Sequence, residues 1–343
     1  MIYAPIVGAV ADQVRAQGLP VFTDIREVKP IPDIIHGQHH AETLTALLRF
    51  PDTPAIFVCH DATAWHDDPL LFPRVLRYVA VDHRCVKRFE ANGKIPRKNI
   101  RILFNAVDLS RFKPRSPLPV KPRRAAIFSN YASKRTHASA VMKACQSLGI
   151  ALDVIGKASN TVTAKPEEVL PAYDLVFAKA MCALESMAIG SAVVLCDFAG
   201  LGAMVNCANF SEFRKLNFGA GTLVRPLDPQ LIAAEIQNYD AQEAKLVSEL
   251  ARKQAKLSNA AVEWVELYNE VLAEHGIGDE RPAENRHSAE LAAIAEYLVK
   301  WGYDARVEME KEQIRKLLRW PILGRCFQWA VERERVRMLK VKS

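Results

Sequence analysis

The stretch Asp174 to Asp197, DLVFAKAMCALESMAIGSAVVLCD, leaves few folds open to this chain. Leu175-Val176-Phe177-Ala178 is apolar without alternation, the pattern of a strand covered on both faces of a parallel sheet. Residues from Lys179 to Ile189 favour a helix, and Gly190 follows where a left-handed cap residue belongs. Ala192-Val193-Val194-Leu195 then gives a second buried strand. Two parallel strands joined by a helix require a right-handed crossover. The chain is therefore expected to be an α/β protein.

The first strand-to-helix junction is where chemistry is expected. Free backbone N–H groups and the positive end of the helix dipole favour an anion there. Lys179 stands at that mouth, and Glu185 follows six residues later. A cation suits a diphosphate, and a carboxylate on the same helix suits a ribose diol. The pair suggests a nucleotide.

The run ALESMAIGSAVV resembles the EAMAxGxPVV segment of GT-B glycosyltransferases, in particular the family-4 type, and suits a divergent bacterial branch. PDIIHGQHH (32–40), PAIFVCHD (54–61), VAVDHRCVKRF (79–89) and ILFNAVDLSRFKPR (102–115) fall in the order found in that family. The last is similar to its VIPNGVDxxxFxP signature and is the most specific. The matches span roughly residues 32 to 275, most of the chain on the domain-size scale. The resemblance implies two Rossmann-like domains, a nucleotide-sugar donor and transfer in the cleft between them.

Several residues acquire expected roles from that resemblance. His60, at the end of a strand, matches the histidine beside the reacting sugar and is the catalytic candidate. Lys134, Lys179, Glu185, Gly200 and Gly202 are expected to bind the donor, with Gly200-Leu201-Gly202 read as a glycine turn. Asp61, His39 and His40 are placed on the acceptor side, and Trp65, His66, Asp67 and Asp68 form a loop that could line it. Ser129 stands where the family carries an arginine, Phe177 where it carries a first glutamate, and Ala106 where it carries a glycine. His36, His39 and His40 invite a metal reading, yet no acidic ligand accompanies them at a recognised spacing. The family generally needs no metal, so neither metal nor cofactor is expected beyond the nucleotide sugar as co-substrate.

The domains are expected at 1–115 (acceptor side, its first βα unit apparently missing), 125–275 (donor side) and 283–343 (a basic helical tail), with a linker at 116–124. RSPLPVKPR, with three prolines in nine residues, marks that linker. Ala261, Val265, Tyr268 and Leu272 suggest the buried stripe of a helix crossing back to the first domain. RKLNFG (214–219) is unusual enough to suggest a site, without a mechanism.

The net charge is +7, and residues 305–343 alone hold eleven Lys/Arg against five Glu. Ile314, Leu317, Leu318, Trp320, Ile322, Leu323, Phe327 and Trp329 mix there with Arg315, Lys316, Arg319 and Arg325. Such a segment suits an anionic membrane surface or, equally, a small helical subdomain. No nucleic-acid motif accompanies the charge. The N-terminus lacks the pattern of a secretion signal, no apolar run approaches a span, and seven cysteines without a C-x-x-C pair suit a reducing compartment. The expected protein is cytoplasmic, peripheral at the inner membrane face, and takes a nucleotide-sugar donor and a glycan or lipid-linked acceptor in cell-surface polysaccharide synthesis. The alternatives are a catalytically weak or inactive nucleotide- or sugar-binding protein on the same scaffold, and a nucleotide-sugar epimerase, against which NAVDLSRF argues.

Overall fold

The computed structural model describes residues 1–276 and 283–318. They fall into two compact units, residues 1–69 with 74–276 and residues 70–73 with 283–318. The first unit holds every strand among the described residues. β1 (Ile2–Tyr3), α1 (Ala9–Ala16) and β2 (Val21–Phe22) form a short parallel unit. A four-stranded parallel sheet follows in the order β3 (Ile35–Gly37), β4 (Ala55–Cys59), β5 (Val75–Ala80), β6 (Ile100–Ile102). Helix α2 (His40–Arg49) joins β3 to β4, and α3 (His83–Ala91) joins β5 to β6. Between β4 and β5 there is only a loop with one 3-10 turn, Trp65–Asp67.

The second sheet contains β7 (Arg124–Phe128), β8 (Ala151–Ile155), β9 (Leu175–Ala178), β10 (Ala192–Asp197) and β11 (Gly200–Met204). Their order is β11-β10-β9-β7-β8, parallel except for β11. Helices α4 (Ala138–Ser147), α5 (Pro166–Val169) and α6 (Ala180–Ile189) connect its strands. The organising stretch forms β9, α6 and β10, and every residue of both strands is buried. Val176, Ala178, Val193 and Leu195 join the core on one face, and Leu175, Phe177, Val194 and Cys196 the core on the other. Period-2 alternation thus sends apolar side chains to both faces, which is why no polar residue interrupts the runs. Gly190 closes α6 at φ +103°, its N–H reaching the Ser186 and Met187 carbonyls.

After β11 come α7 (Cys207–Lys215), α8 (Pro229–Gln237), α9 (Ala241–Gln254) and α10 (Leu257–Gly276). α10 returns to the first sheet: Tyr268 and His36 are hydrogen-bonded at 2.7 Å, Arg77 pairs with Glu274 at 2.6 Å, and His275 reaches the Asp52 carbonyl at 2.9 Å. The stripe it buries differs from the expected one. Leu267 and Val271 are buried and Trp264, Tyr268 and Leu272 half-buried, whereas Ala261 and Val265 face solvent. A spacing of four fits two neighbouring faces of one helix, and the face with the larger apolar area is the one covered.

The proline-rich connection is strapped to the second sheet. Asp174, at the foot of β9, accepts from the Arg123 and Arg124 N–H groups at 2.9 and 3.2 Å and from Arg115 Nη2 at 3.0 Å. The Arg115 N–H donates to Ile189, and Tyr239 Oη donates to the Pro119 carbonyl, both at 2.8 Å.

In the second unit, α11 (Ala283–Leu318) is one helix of 36 residues, exposing Leu291, Leu298, Val299 and Trp301. Among the described residues no helix is long and apolar enough to cross a membrane. Arg319, Trp320, Ile322, Leu323, Arg325, Phe327 and Trp329 of the expected basic tail lie outside the described residues.

Candidate functional site

From β7 the chain runs outward to β8, then back past β7 to β9, so its direction across the sheet reverses between β7 and β9. Open α/β sheets bind ligands off the carboxyl ends of strands at such a switch point. Ser129, Lys179 and Asp197 follow or end the three strands there. Asp197 is fully buried and gathers the others: Lys179 Nζ lies 2.7 Å from Oδ2, Ser129 Oγ donates to Oδ1 at 3.3 Å, and His137 Nδ1 is 3.7 Å from Oδ1. His137 is fully buried and neither ring nitrogen has a hydrogen-bond partner among the described residues. Burial holds its pKa below the ordinary value, with the Lys179 charge assisting and Asp197 opposing.

Lys179 caps α6 without a side-chain hydrogen bond to the helix, and its ammonium lies 5.6 Å from the Tyr131 ring centre and 5.1 Å from that of Phe198. It is thus at the mouth, as expected, but already paired with Asp197 and flanked by two aromatic rings. Sequence reasoning missed Asp197. The available signal was its place at the end of β10, one strand over from Lys179 in parallel register. The helix starts abruptly: Ala180 sits at φ +50°, and its N–H goes to the Phe218 carbonyl at 2.8 Å.

Glu185, two turns along α6, is half-buried and makes no hydrogen bond among the described residues. Burial raises its pKa to about 7; Arg111 opposes the shift and Glu167 adds to it, those two being paired at 2.9 Å. Lys134 is exposed in the turn after β7 and makes no ion pair among the described residues. Gly200 and Gly202 correct the expectation of a glycine turn, because they belong to strand β11 and are buried. A Cβ on Gly200, at φ +151°, would meet the Arg225 carbonyl oxygen at 2.8 Å, and one on Gly202 the Leu195 Cβ at 2.8 Å. The close approach these glycines permit is to protein.

The other wall comes from the first sheet. His60 is exposed at the end of β4, yet the protein around it holds its pKa below the ordinary value by desolvation, opposed by Asp67 and assisted by His39. Asp61 Oδ1 accepts from the Thr63 N–H and Oγ1, both at 2.7 Å, and from the Ala64 N–H at 3.2 Å, fixing the loop. Burial works to raise the Asp61 pKa, but these bonds and the Lys179 charge together hold it low. Lys179 and Asp61 therefore feel each other across the two walls. His40 is buried on the Trp65 ring (5.1 Å), and His36 contacts Trp264 of α10 (4.8 Å). The His36 pKa falls to about 4, through desolvation first and His60 second. The three histidines therefore part company: His36 turns to α10, while His39 and His40 meet different residues of the 65–67 loop, the His39 ring centre lying 4.5 Å from that of His66.

RKLNFG has a position in this frame. Arg214 is buried, donates from Nη2 to the Asn105 carbonyl at 2.7 Å, and lies 5.1 Å from the Phe104 ring centre. Asn217 and Phe218 both take φ +52°, the turn that carries the Phe218 carbonyl to Ala180. The segment joins the turn after β6 to the start of α6.

No protein-family model matches the chain, and no curated protein matches by sequence. Solved structures do. A glycosyltransferase from Rickettsia africae ESF-5 superposes with a TM-score of 0.53 at 13% identity, covering 78% of this chain and 88% of that one. HepE from Anabaena, solved with UDP and glucose, gives 0.56 at 13% identity, covering 78% and 91%. Sucrose-phosphate synthase from Thermosynechococcus elongatus gives 0.50 at 13% identity, covering 71% and 74%. At such identity the likeness establishes architecture. The chain has the GT-B fold, two Rossmann-like α/β sheets with a helical C-terminal region.

Proposed function

We propose that this chain is a glycosyltransferase that moves a sugar from a nucleoside-diphosphate donor to a glycan or lipid-linked acceptor. The observation that carries the reading is the arrangement on α6: Lys179 at its mouth and Glu185 two turns on, with the Lys179 charge felt by Asp61 beyond the end of β4. The Met181 and Cys182 N–H groups and Lys179 hold the diphosphate, the Ala180 N–H being taken by Phe218, and Lys134 adds a second charge from the turn after β7. Developing negative charge on the leaving diphosphate is stabilised there without a metal. Ionised Glu185 accepts from the ribose hydroxyls, and His60, largely neutral, positions the sugar or the acceptor hydroxyl. Asp61, His39 and His40 shape the acceptor side, and transfer proceeds with retention. The fold is shared with a protein solved with UDP and glucose, which supports a donor of that kind. The protein works in the cytoplasm on cell-surface polysaccharide, held at the inner membrane face by its basic tail.

A second reading is favoured by one observation. The Lys179 charge is matched by buried Asp197, and Ser129 occupies the place of a phosphate-binding arginine. A protein that retains a nucleotide sugar without consuming it would need no stronger cation. The test is a calorimetric screen of nucleoside diphosphates and their sugars, with Glu185→Ala beside wild type, followed by donor-consumption assays. One donor bound by wild type, lost in the variant and turned over supports transfer; binding without turnover supports retention. No binding by any nucleotide removes both.

A further inference from the structure

The loop between β4 and β5 and the end of β3 bring together three side chains that the donor site does not use. His39, His66 and Asp67 each present a ligand atom, and these atoms all lie within 4.8 Å of one another. They come from two places in the sequence, so no local spacing announces them. His39 holds the N-cap position of α2 in extended conformation, leaving its imidazole free of any capping bond. His66 and Asp67 belong to the 3-10 turn that the Asp61 carboxylate fixes.

Asp67 supplies the decisive observation. The residue is 1% exposed, and its two oxygens are treated differently. Oδ2 accepts the Asp61 N–H at 2.7 Å, while Oδ1 is buried without a hydrogen-bond partner among the described residues. A carboxylate taken out of water with one oxygen unmatched is costly unless a cation completes it. The arrangement is that of a monodentate ligand, one oxygen anchored to backbone and the other open to a charge. Two imidazoles stand beside it rather than lysine or arginine, which selects a borderline transition cation over Mg²⁺ or Ca²⁺.

We propose that His39, His66 and Asp67 bind a divalent transition cation of the zinc type, with a fourth position open to water. Two histidines and one carboxylate are a sufficient three-ligand set for Zn²⁺ with an open site. Ligand atoms about 2.0–2.2 Å from tetrahedral zinc stand about 3.4 Å apart. The present separations, up to 4.8 Å, must close to that spacing on binding, and the His39 side chain, half-exposed with its Nδ1 3.9 Å from Glu42, has room to turn. The site belongs to the first sheet and is separate from the diphosphate-binding elements of the second. It adds to the glycosyl-transfer reading without depending on it, since the cation is detected with neither donor nor acceptor present.

The experiment uses the full chain, tag removed and dialysed against chelator, titrated with Zn²⁺ by calorimetry and with Co²⁺ by visible absorption. One equivalent of each metal, with the intense d–d bands of four-coordinate Co²⁺, is expected. His39→Ala and His66→Ala each remove a ligand and should weaken binding by at least the ~10–100-fold seen on losing mere outer-shell partners, abolishing the bands. Asp67→Asn should do the same. Because that residue is buried, its variant counts only if its circular dichroism and melting match wild type, and the two histidine variants stand independently. Absence of saturable binding, or equal affinity in His39→Ala, His66→Ala and wild type, overturns the proposal.

Discussion

Arg214 Nη2 donates to the backbone carbonyl of Asn105 across 2.7 Å, joining α7 of the second sheet to the turn that follows β6 of the first. The guanidinium also reaches Asn217 Oδ1 at 3.4 Å and the Phe104 ring. Desolvation lowers its pKa to about 10, with Glu263 opposing, so the group remains charged at neutral pH. Charged hydrogen bonds of this kind contribute about 1.5–3 kcal/mol, and a desolvated cation–π contact up to about 2 more. Arg214→Ala is expected to cost about 3 kcal/mol in urea unfolding. Arg214→Lys should recover less than half, since a point charge cannot serve the carbonyl, the amide and the ring together.

The Lys179–Asp197 pair predicts an epistatic series. Lys179→Met leaves a fully buried carboxylate without its cation, a loss of about 3–5 kcal/mol. Adding Asp197→Asn should restore most of that stability. Donor affinity, measured by calorimetry on the double variant, should stay weak. Recovery of affinity along with stability would mean that Lys179 serves only as the counter-ion.

Glu185 predicts a pH dependence of opposite sign to the usual carboxylate. Its folded pKa, about 7, lies above the unfolded value, so the folded protein holds the extra proton between about pH 4.5 and 7. Stability from this group is present at low pH and falls as pH rises through that window, by up to about 3 kcal/mol. Glu185→Gln should flatten the melting temperature across it. Donor affinity should run the other way, rising with pH through 7 as the ribose acceptor ionises, and that rise should vanish in the same variant.

His36 predicts a loss on the acid side. Its pKa is lowered to about 4, so the unfolded chain takes up the proton first as pH falls through 6.5. Stability from neutral His36 is complete above 6.5 and declines down to about 4. Tyr268→Phe, removing the 2.7 Å bond to its ring, should cost about 1 kcal/mol at pH 7.5, read by thermal unfolding.

What the sequence disclosed and what it concealed divide along physical lines. β9, α6 and β10 were legible because both faces of the sheet are buried, leaving runs with no polar break, and because Gly190 marks the helix end. Lys179 and Glu185 were legible as a pair because one helix carries both. Asp197 was not, since its partners, Ser129 and His137 on either side of the turn after β7 and Lys179 at the start of α6, lie far from it in the chain or on another strand. The His39–His66–Asp67 group hid for the same reason, and the histidines that are adjacent in sequence point to different neighbours. The face buried by α10 was misjudged because local periodicity offers registers, and only the packing against the first sheet chooses among them.

The fastening of Arg115, Arg123 and Arg124 to Asp174 has a mechanical result. A connection rich in proline would ordinarily be the soft joint between two lobes, but here it moves with the second sheet as part of its frame. Any rocking of one sheet against the other must turn elsewhere. The outgoing and returning paths of the chain are joined at one point, Val107 donating to the Ala255 carbonyl at 2.7 Å and accepting from the Leu257 N–H at 3.0 Å. Two hydrogen bonds on a single residue tie the exit from the first sheet to the entry of α10, whose Tyr268 in turn holds His36 of β3.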